Sequence, residues 1–156
     1  MNLIKLQISG LPPCPRNRSH SSVVQKGRAM TIRTEAGRQY EKAIQQVLKG
    51  KVDQTFKDKF DSKKHVLIAT FVFTTPDLYT KDDRLSQTSV DLDAHKILQD
   101  TLFGVVGLDD GHMVDERKIK QYGTKHQVTF ILEIVERKTW EASILILNTM
   151  AQQKES

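Results

Sequence analysis

Ser89-Val90-Asp91-Leu92-Asp93-Ala94-His95-Lys96-Ile97-Leu98-Gln99-Asp100-Thr101-Leu102-Phe103-Gly104 is the stretch on which the fold turns. It passes from polar residues into an apolar period. Ala94, Ile97, Leu98, Thr101 and Leu102 recur at helical spacing, so one face points at a core. The pattern predicts a helix over 91–103, capped by Asp91 or Asp93 and broken by Gly104 and Gly107. Downstream, 113–122 and 127–135 read as two strands joined by a turn at Gly123. Upstream, 65–74 is rich in Val, Ile, Phe and Thr and stops at Pro76, as a buried strand does.

Further out, Thr34 is placed to cap a helix over 34–49 whose Ala36, Tyr40, Ala43, Ile44, Val47 and Leu48 share a face, with Gly50 ending it. A first strand, 3–8, alternates weakly and is stopped by Gly10 and Pro12-Pro13-Cys14-Pro15. Residues 16–33 carry no clear period and read as a long basic loop, a length that is uncommon in a small domain unless the loop has a function. Residues 51–64 read as a polar connection, and 138–150 as a closing helix or strand. The order is β-α-β-α-β-β plus a tail. It predicts a single small α+β domain, with a mixed sheet of about four strands packed with two main helices. The division expected is a folded unit over 1–137, followed by a C-terminal tail or extra helix over 138–156.

The chain has 156 residues, 38% hydrophobic and 28% charged, an ordinary balance for one globular domain. Its one cysteine, Cys14, excludes an internal disulfide and a cysteine-rich zinc module. Its apolar runs, 66–73 and 144–147, are far short of a membrane span, and no signal peptide is evident. The expectation is a cytoplasmic protein with no membrane partner. The net charge of +5 is unevenly spread. Residues 1–64 hold 14 Lys or Arg against 5 acids, and the first 34 residues hold no acid. Residues 77–116 hold 10 acids against 3 bases. A basic arm followed by an acidic cluster suits a protein that grips a polyanion and holds a cation.

Asp91-Leu92-Asp93 opens the helix and Asp109-Asp110 follows it. The two pairs converge only if the segment after Phe103 folds back along the helix, which Gly104 and Gly107 permit. Together they make a set of hard oxygen ligands suited to Mg²⁺ or Mn²⁺, able to position water and stabilise charge on a phosphodiester. Each piece also has an ordinary use: Asp-x-Asp is a common N-cap, and Asp-Asp-Gly a common turn. Asp82-Asp83 is a weaker rival pair. The stretch from Asp91 lacks the glycine and the twelfth-position acid of an EF-hand loop. The five histidines show no zinc spacing, and no glycine-rich phosphate loop is present, so no zinc and no nucleotide cofactor are expected.

The stretch 89–102, followed by Gly107-Leu108-Asp109-Asp110-Gly111-His112-Met113-Val114-Asp115, resembles the RusA family of Holliday junction resolvases. That family shows a D-x-D-N element, a lysine on the following helix, an Asp-x-Leu, then an Asp-Asp before a strand. The opening Ile8-Ser9-Gly10-Leu11-Pro12-Pro13 with its basic loop is similar to the family's start. Lys120 matches a basic residue often found on the strand after the Asp-Asp. The resemblance covers about 3–136 and implies that 1–137 is a nuclease domain. It implies a homodimeric, Mg²⁺-dependent endonuclease, with Mn²⁺ able to substitute, that nicks four-way junction DNA symmetrically to leave 5′-phosphate ends. Asp91, Asp93 and Asp110 would be metal-binding catalytic acids, with Asp109 their neighbour. Lys96 would stabilise phosphate charge. Arg16, Arg18, Lys26, Arg28, Arg33 and Lys120 would hold DNA. Such a protein would act in the cytoplasm of a bacterial or phage-infected cell.

Two departures matter. Ala94 stands where the family has Asn, and Lys96 follows Asp91 by five residues rather than six. One residue turns a helical position by about 100°, so His95 competes with Lys96 for the family lysine's place. Two other readings of the same residues are a metal-dependent nuclease acting on flaps or other branched DNA, and a junction-binding protein without catalysis.

Overall fold

The computed structural model describes residues 2–10, 20–25, 28–86 and 96–152. Four strands form one mixed sheet in the order β1-β6-β4-β5, where β1 is Leu3–Ser9, β4 His65–Thr75, β5 Met113–Tyr122 and β6 Gln127–Glu136. β6 runs antiparallel to both β1 and β4, and β5 runs parallel to β4. Two parallel neighbours need a crossover, and helix α2, Lys96–Val106, lies in it. The α+β class with a four-stranded mixed sheet is as the sequence predicts.

Period-2 alternation decides which face of the sheet is dry. Leu67, Ala69, Phe71 and Phe73 of β4 are almost fully buried, while the alternate residues are half-buried. They meet Phe130 and Leu132 of β6 and Leu6 and Ile8 of β1. Ile44 and Leu48 of helix α1, Glu35–Leu48, and Leu98 and Leu102 of α2 close the core from above. Phe130 is the hinge of this packing, with ring centroids 5.0 Å from Phe71 and 5.7 Å from Phe103. Side chains of this size each contribute about 1.5–3 kcal/mol through burial. The Thr34 hydroxyl caps α1 by accepting from the Gly37 amide at 3.1 Å, as its sequence position predicts.

Three elements differ from the sequence expectation. The supposed loop 16–33 contains a hairpin, β2 His20–Gln25 paired antiparallel with β3 Arg28–Arg33. It forms its own two-stranded sheet, and Val24 is 77% exposed, so no core face imposes a legible alternation on it. The connection 51–64 is not wholly polar in role: Phe56, preceding a 3-10 turn at Lys57–Lys59, is 2% exposed and joins the core. Gly104 does not break α2. The helix runs on to bury Val106 and stops at Gly107, whose φ of +79° is the left-handed conformation glycine adopts freely. Of the two forms expected for the closing segment, helix or strand, it takes the helix: α3, Arg137–Gln152. It leaves Leu145, Ile146, Leu147 and Met150 more than half exposed. The predicted start of the second helix at Asp91 lies outside the described residues. Among the described residues, no helix is long and apolar enough to cross a membrane.

Candidate active site

Asp110 is set by a tight turn. A 3-10 turn over Asp110–His112 precedes β5, and the Asp109 carboxylate caps it by accepting from the Gly111 amide at 2.8 Å. A Cβ on Gly111 would lie 3.1 Å from that carboxylate oxygen, so the turn favours glycine there. Asp109 is thereby committed to shaping the turn, and Asp110 points back at α2.

The return of the chain brings Asp110 to the first turn of α2. Lys96 donates from Nζ to Asp110 Oδ2 at 2.7 Å, and Gln99 donates from Nε2 to the same oxygen at 3.1 Å. Lys96 also reaches Asp100 Oδ1, one helical turn on, at 2.8 Å. Asp100 in turn lies 3.5 Å from Arg33 at the end of the hairpin, and Arg33 donates to Glu41 of α1 at 2.5 Å. The β2–β3 hairpin, α1, α2 and the turn before β5 are thus joined through one line of alternating charges.

The electrostatics follow from those contacts. Hydrogen bonding from Lys96 holds the Asp110 carboxyl below its ordinary pKa, against a smaller desolvation effect. The hydrogen bond to Asp100, then that to Asp110, raises the Lys96 ammonium above its own. Both groups are therefore charged at neutral pH. Asp110 offers a single hard carboxylate, and the ammonium fixed beside it suits an anionic substrate.

The other residues singled out in the sequence fall in three places. Asp91, Asp93, His95, Arg16, Arg18 and Lys26 lie outside the described residues. Arg28 is exposed on β3, across the hairpin from Gln25. Lys120 is half-buried on β5 opposite Phe73, seven residues beyond Met113, or roughly 20 Å down the strand from the Asp110 turn. It is not brought to Asp110. Among the described residues, no group of three His, Cys, Asp or Glu is arranged to hold a metal ion.

Gln99 and Asp100 were not singled out as site residues from the sequence. The available signal was spacing: they stand three and four residues after Lys96 and so share its side of the helix. Gln99 is also a polar side chain among buried apolar ones, 8% exposed. Such a group needs a partner, and Asp110 is that partner.

A carboxylate held by lysine and glutamine over an α+β sheet, beside a hairpin that follows an acid-free basic segment, makes a charged site suited to an anionic ligand. The comparison with known families gives the particular class. Residues 11–133 match the family described as Endodeoxyribonuclease RusA, and the chain belongs to that family of junction-resolving DNA endonucleases. The match ends before α3. No curated protein matches the chain.

Proposed function

We propose that the protein resolves four-way DNA junctions by Mg²⁺-dependent hydrolysis, with Asp91, Asp93 and Asp110 as the metal-binding acids and Lys96 as the phosphate-facing cation. The observation that carries this reading is the 2.7 Å contact between Lys96 and Asp110, which joins the two halves of the motif across fourteen residues of chain. Asp93 and Asp91 precede Lys96 by three and five residues. Fully extended, three residues span about 11 Å and five about 18 Å, which bounds how far Asp93 and Asp91 can stand from Lys96.

A divalent cation bound there would supply an activated water and charge neutralisation at phosphorus. The residues of the chain do the rest. Gln99 fixes the rotamer of Asp110 from a buried position. Asp100 holds Lys96 in place until a phosphodiester arrives, and the ammonium then neutralises charge developing on a phosphate oxygen. Lys96, rather than His95, takes this role because it is charged at neutral pH and already lies against Asp110. Arg16, Arg18, Lys26 and Arg28 of the basic segment, with Lys120, hold the DNA backbone by sequence-independent contacts. A four-way junction has approximate two-fold symmetry, so a C₂ homodimer would present two matched sites and make paired nicks leaving 5′-phosphate ends.

The test is incubation of the purified protein with labelled four-way junction and linear duplex, with and without Mg²⁺, followed by end mapping. Paired symmetric nicks on the junction only, and only with the cation, are expected. Cleavage of linear duplex at the same rate contradicts the reading.

A further inference from the structure

A second basic feature lies away from the hairpin. A cleft of about 450 Å³ opens between the 61–65 segment and the start of α3. Lys63, Lys64, Arg137 and Lys138 line it against Glu136 and Glu141, an excess of positive charge. Its walls are tied together: Arg137 donates from its guanidinium to the Ser62 carbonyl at 2.6 Å, and from its backbone amide to the Lys64 carbonyl at 2.8 Å. Lys64 is only loosely engaged, 3.7 Å from Asp61 with its side chain 76% exposed. Among the described residues, no ion pair involves Lys63 or Lys138. Both are exposed.

The rim of the cleft lies near the turn that carries Asp110. The Asp110–His112 turn ends in His112, whose ring lies 5.2 Å from that of Phe60, and Phe60 lies 6.3 Å from His65 on the rim of the cleft. The His112 and His65 rings are therefore no more than about 12 Å apart, three to four phosphates of one strand at ~3.4 Å of helix axis each. A strand lying across Asp110 meets the cleft within half a helical turn.

We propose that this cleft is a second DNA-backbone site, which takes the phosphates of the duplex arm flanking the scissile strand. It rests on the nuclease reading of Asp110 and Lys96 given above. Ordered backbone between Ser62 and Arg137 fixes the spacing of the cations, and ammonium and guanidinium groups without buried partners are what a polyanion recruits. Half of the site comes from Arg137 and Lys138, beyond the residues that match the family. Half of the grip on the arm thus comes from the C-terminal side of the family match, and half from Lys63 and Lys64 within it.

The experiment uses the full chain in EDTA and a labelled four-way junction with long arms, beside the same junction with arms cut short of the cleft. Binding is measured over a range of salt for wild type, for Lys63→Gln/Lys138→Gln and for Lys63→Glu/Lys138→Glu, with melting temperature as the control for folding. On long arms the Gln pair is expected to weaken binding and make the log–log salt slope shallower by about two, close to one unit per lost phosphate contact. The Glu pair should weaken it further, and on short arms the variants should match wild type. Equal affinity and slope for wild type and both variants on long arms overturns the proposal. If the wild type itself fails to prefer the junction to linear duplex, the junction-resolving part of the proposed function fails instead, and the two results cannot be confused.

Discussion

Lys96→Ala separates chemistry from folding and from grip. The ammonium makes two hydrogen bonds, 2.8 Å to Asp100 and 2.7 Å to Asp110, and its side chain is 53% exposed. Ion pairs this exposed stabilise a fold little, so the substitution should cost about 1 kcal/mol or less. For a chain of this size that lowers the melting temperature by about 2–4 °C. At the scissile phosphate the same charge stands where negative charge develops. Removing one such donor costs ~10²-fold in rate, about 2.7 kcal/mol at 1.36 kcal/mol per decade. Single-turnover cleavage of a labelled junction at saturating Mg²⁺ reads the rate, and binding in EDTA reads the grip. The expected result is a rate near one-hundredth of wild type with junction affinity changed only a few-fold, and His95→Ala much closer to wild type. A Lys96→Ala rate within twofold of wild type, with His95→Ala the slower, would refute the assignment.

Asp100→Asn removes the charge that holds Lys96 while leaving the lysine itself. It should slow single-turnover cleavage by roughly tenfold, the smaller loss expected of a residue acting through another, with junction affinity unchanged. Replacing Arg16, Arg18, Lys26, Arg28 and Arg33 together by Ala should weaken junction binding and flatten its salt dependence by about one log–log unit per lost phosphate contact. An unchanged slope would show that the grip lies elsewhere. In EDTA, the stability difference between wild type and Lys96→Ala should depend on pH at both ends. Asp110 titrates below its unfolded value, so its share is present above that value and lost as pH falls through the depressed one; Lys96 titrates above its own, so its share is present below the unfolded value and lost as pH rises through the raised one. Melting curves should show a plateau through neutral pH that falls away at both extremes, and a difference that is flat throughout contradicts the pairing.

The legible parts of this fold are those whose burial is one-sided. β4 alternates because one face meets the helices, and α1 announces itself by the Thr34 cap and the spacing of Ile44 and Leu48. The β2–β3 hairpin pairs only with itself and exposes Val24, so its strands leave no pattern in the sequence. Phe56 sits in a polar run, and local pattern cannot say that a 3-10 turn will fold it under the core. Gly104 looked like a helix end because helix propensity is local, whereas burying Val106 is a tertiary gain that outweighs one glycine in the helix. In the site, the motif residues were visible, but their meeting depended on the return path from Gly107 to Asp110. No periodicity encodes that path. Lys120 illustrates the converse: a match at one sequence distance from Asp110 becomes a long physical distance once the intervening residues extend as a strand.

The central claim is that Asp110, set against Lys96, belongs to a metal-dependent centre that cleaves junctions. Asp110→Asn keeps the size of the side chain and removes its charge, so the direct measurement is nicking and binding of a four-way junction by this variant at saturating Mg²⁺. Binding equal to or tighter than wild type, with nicking abolished, is the predicted result. Nicking by Asp110→Asn at a rate near that of wild type would contradict it.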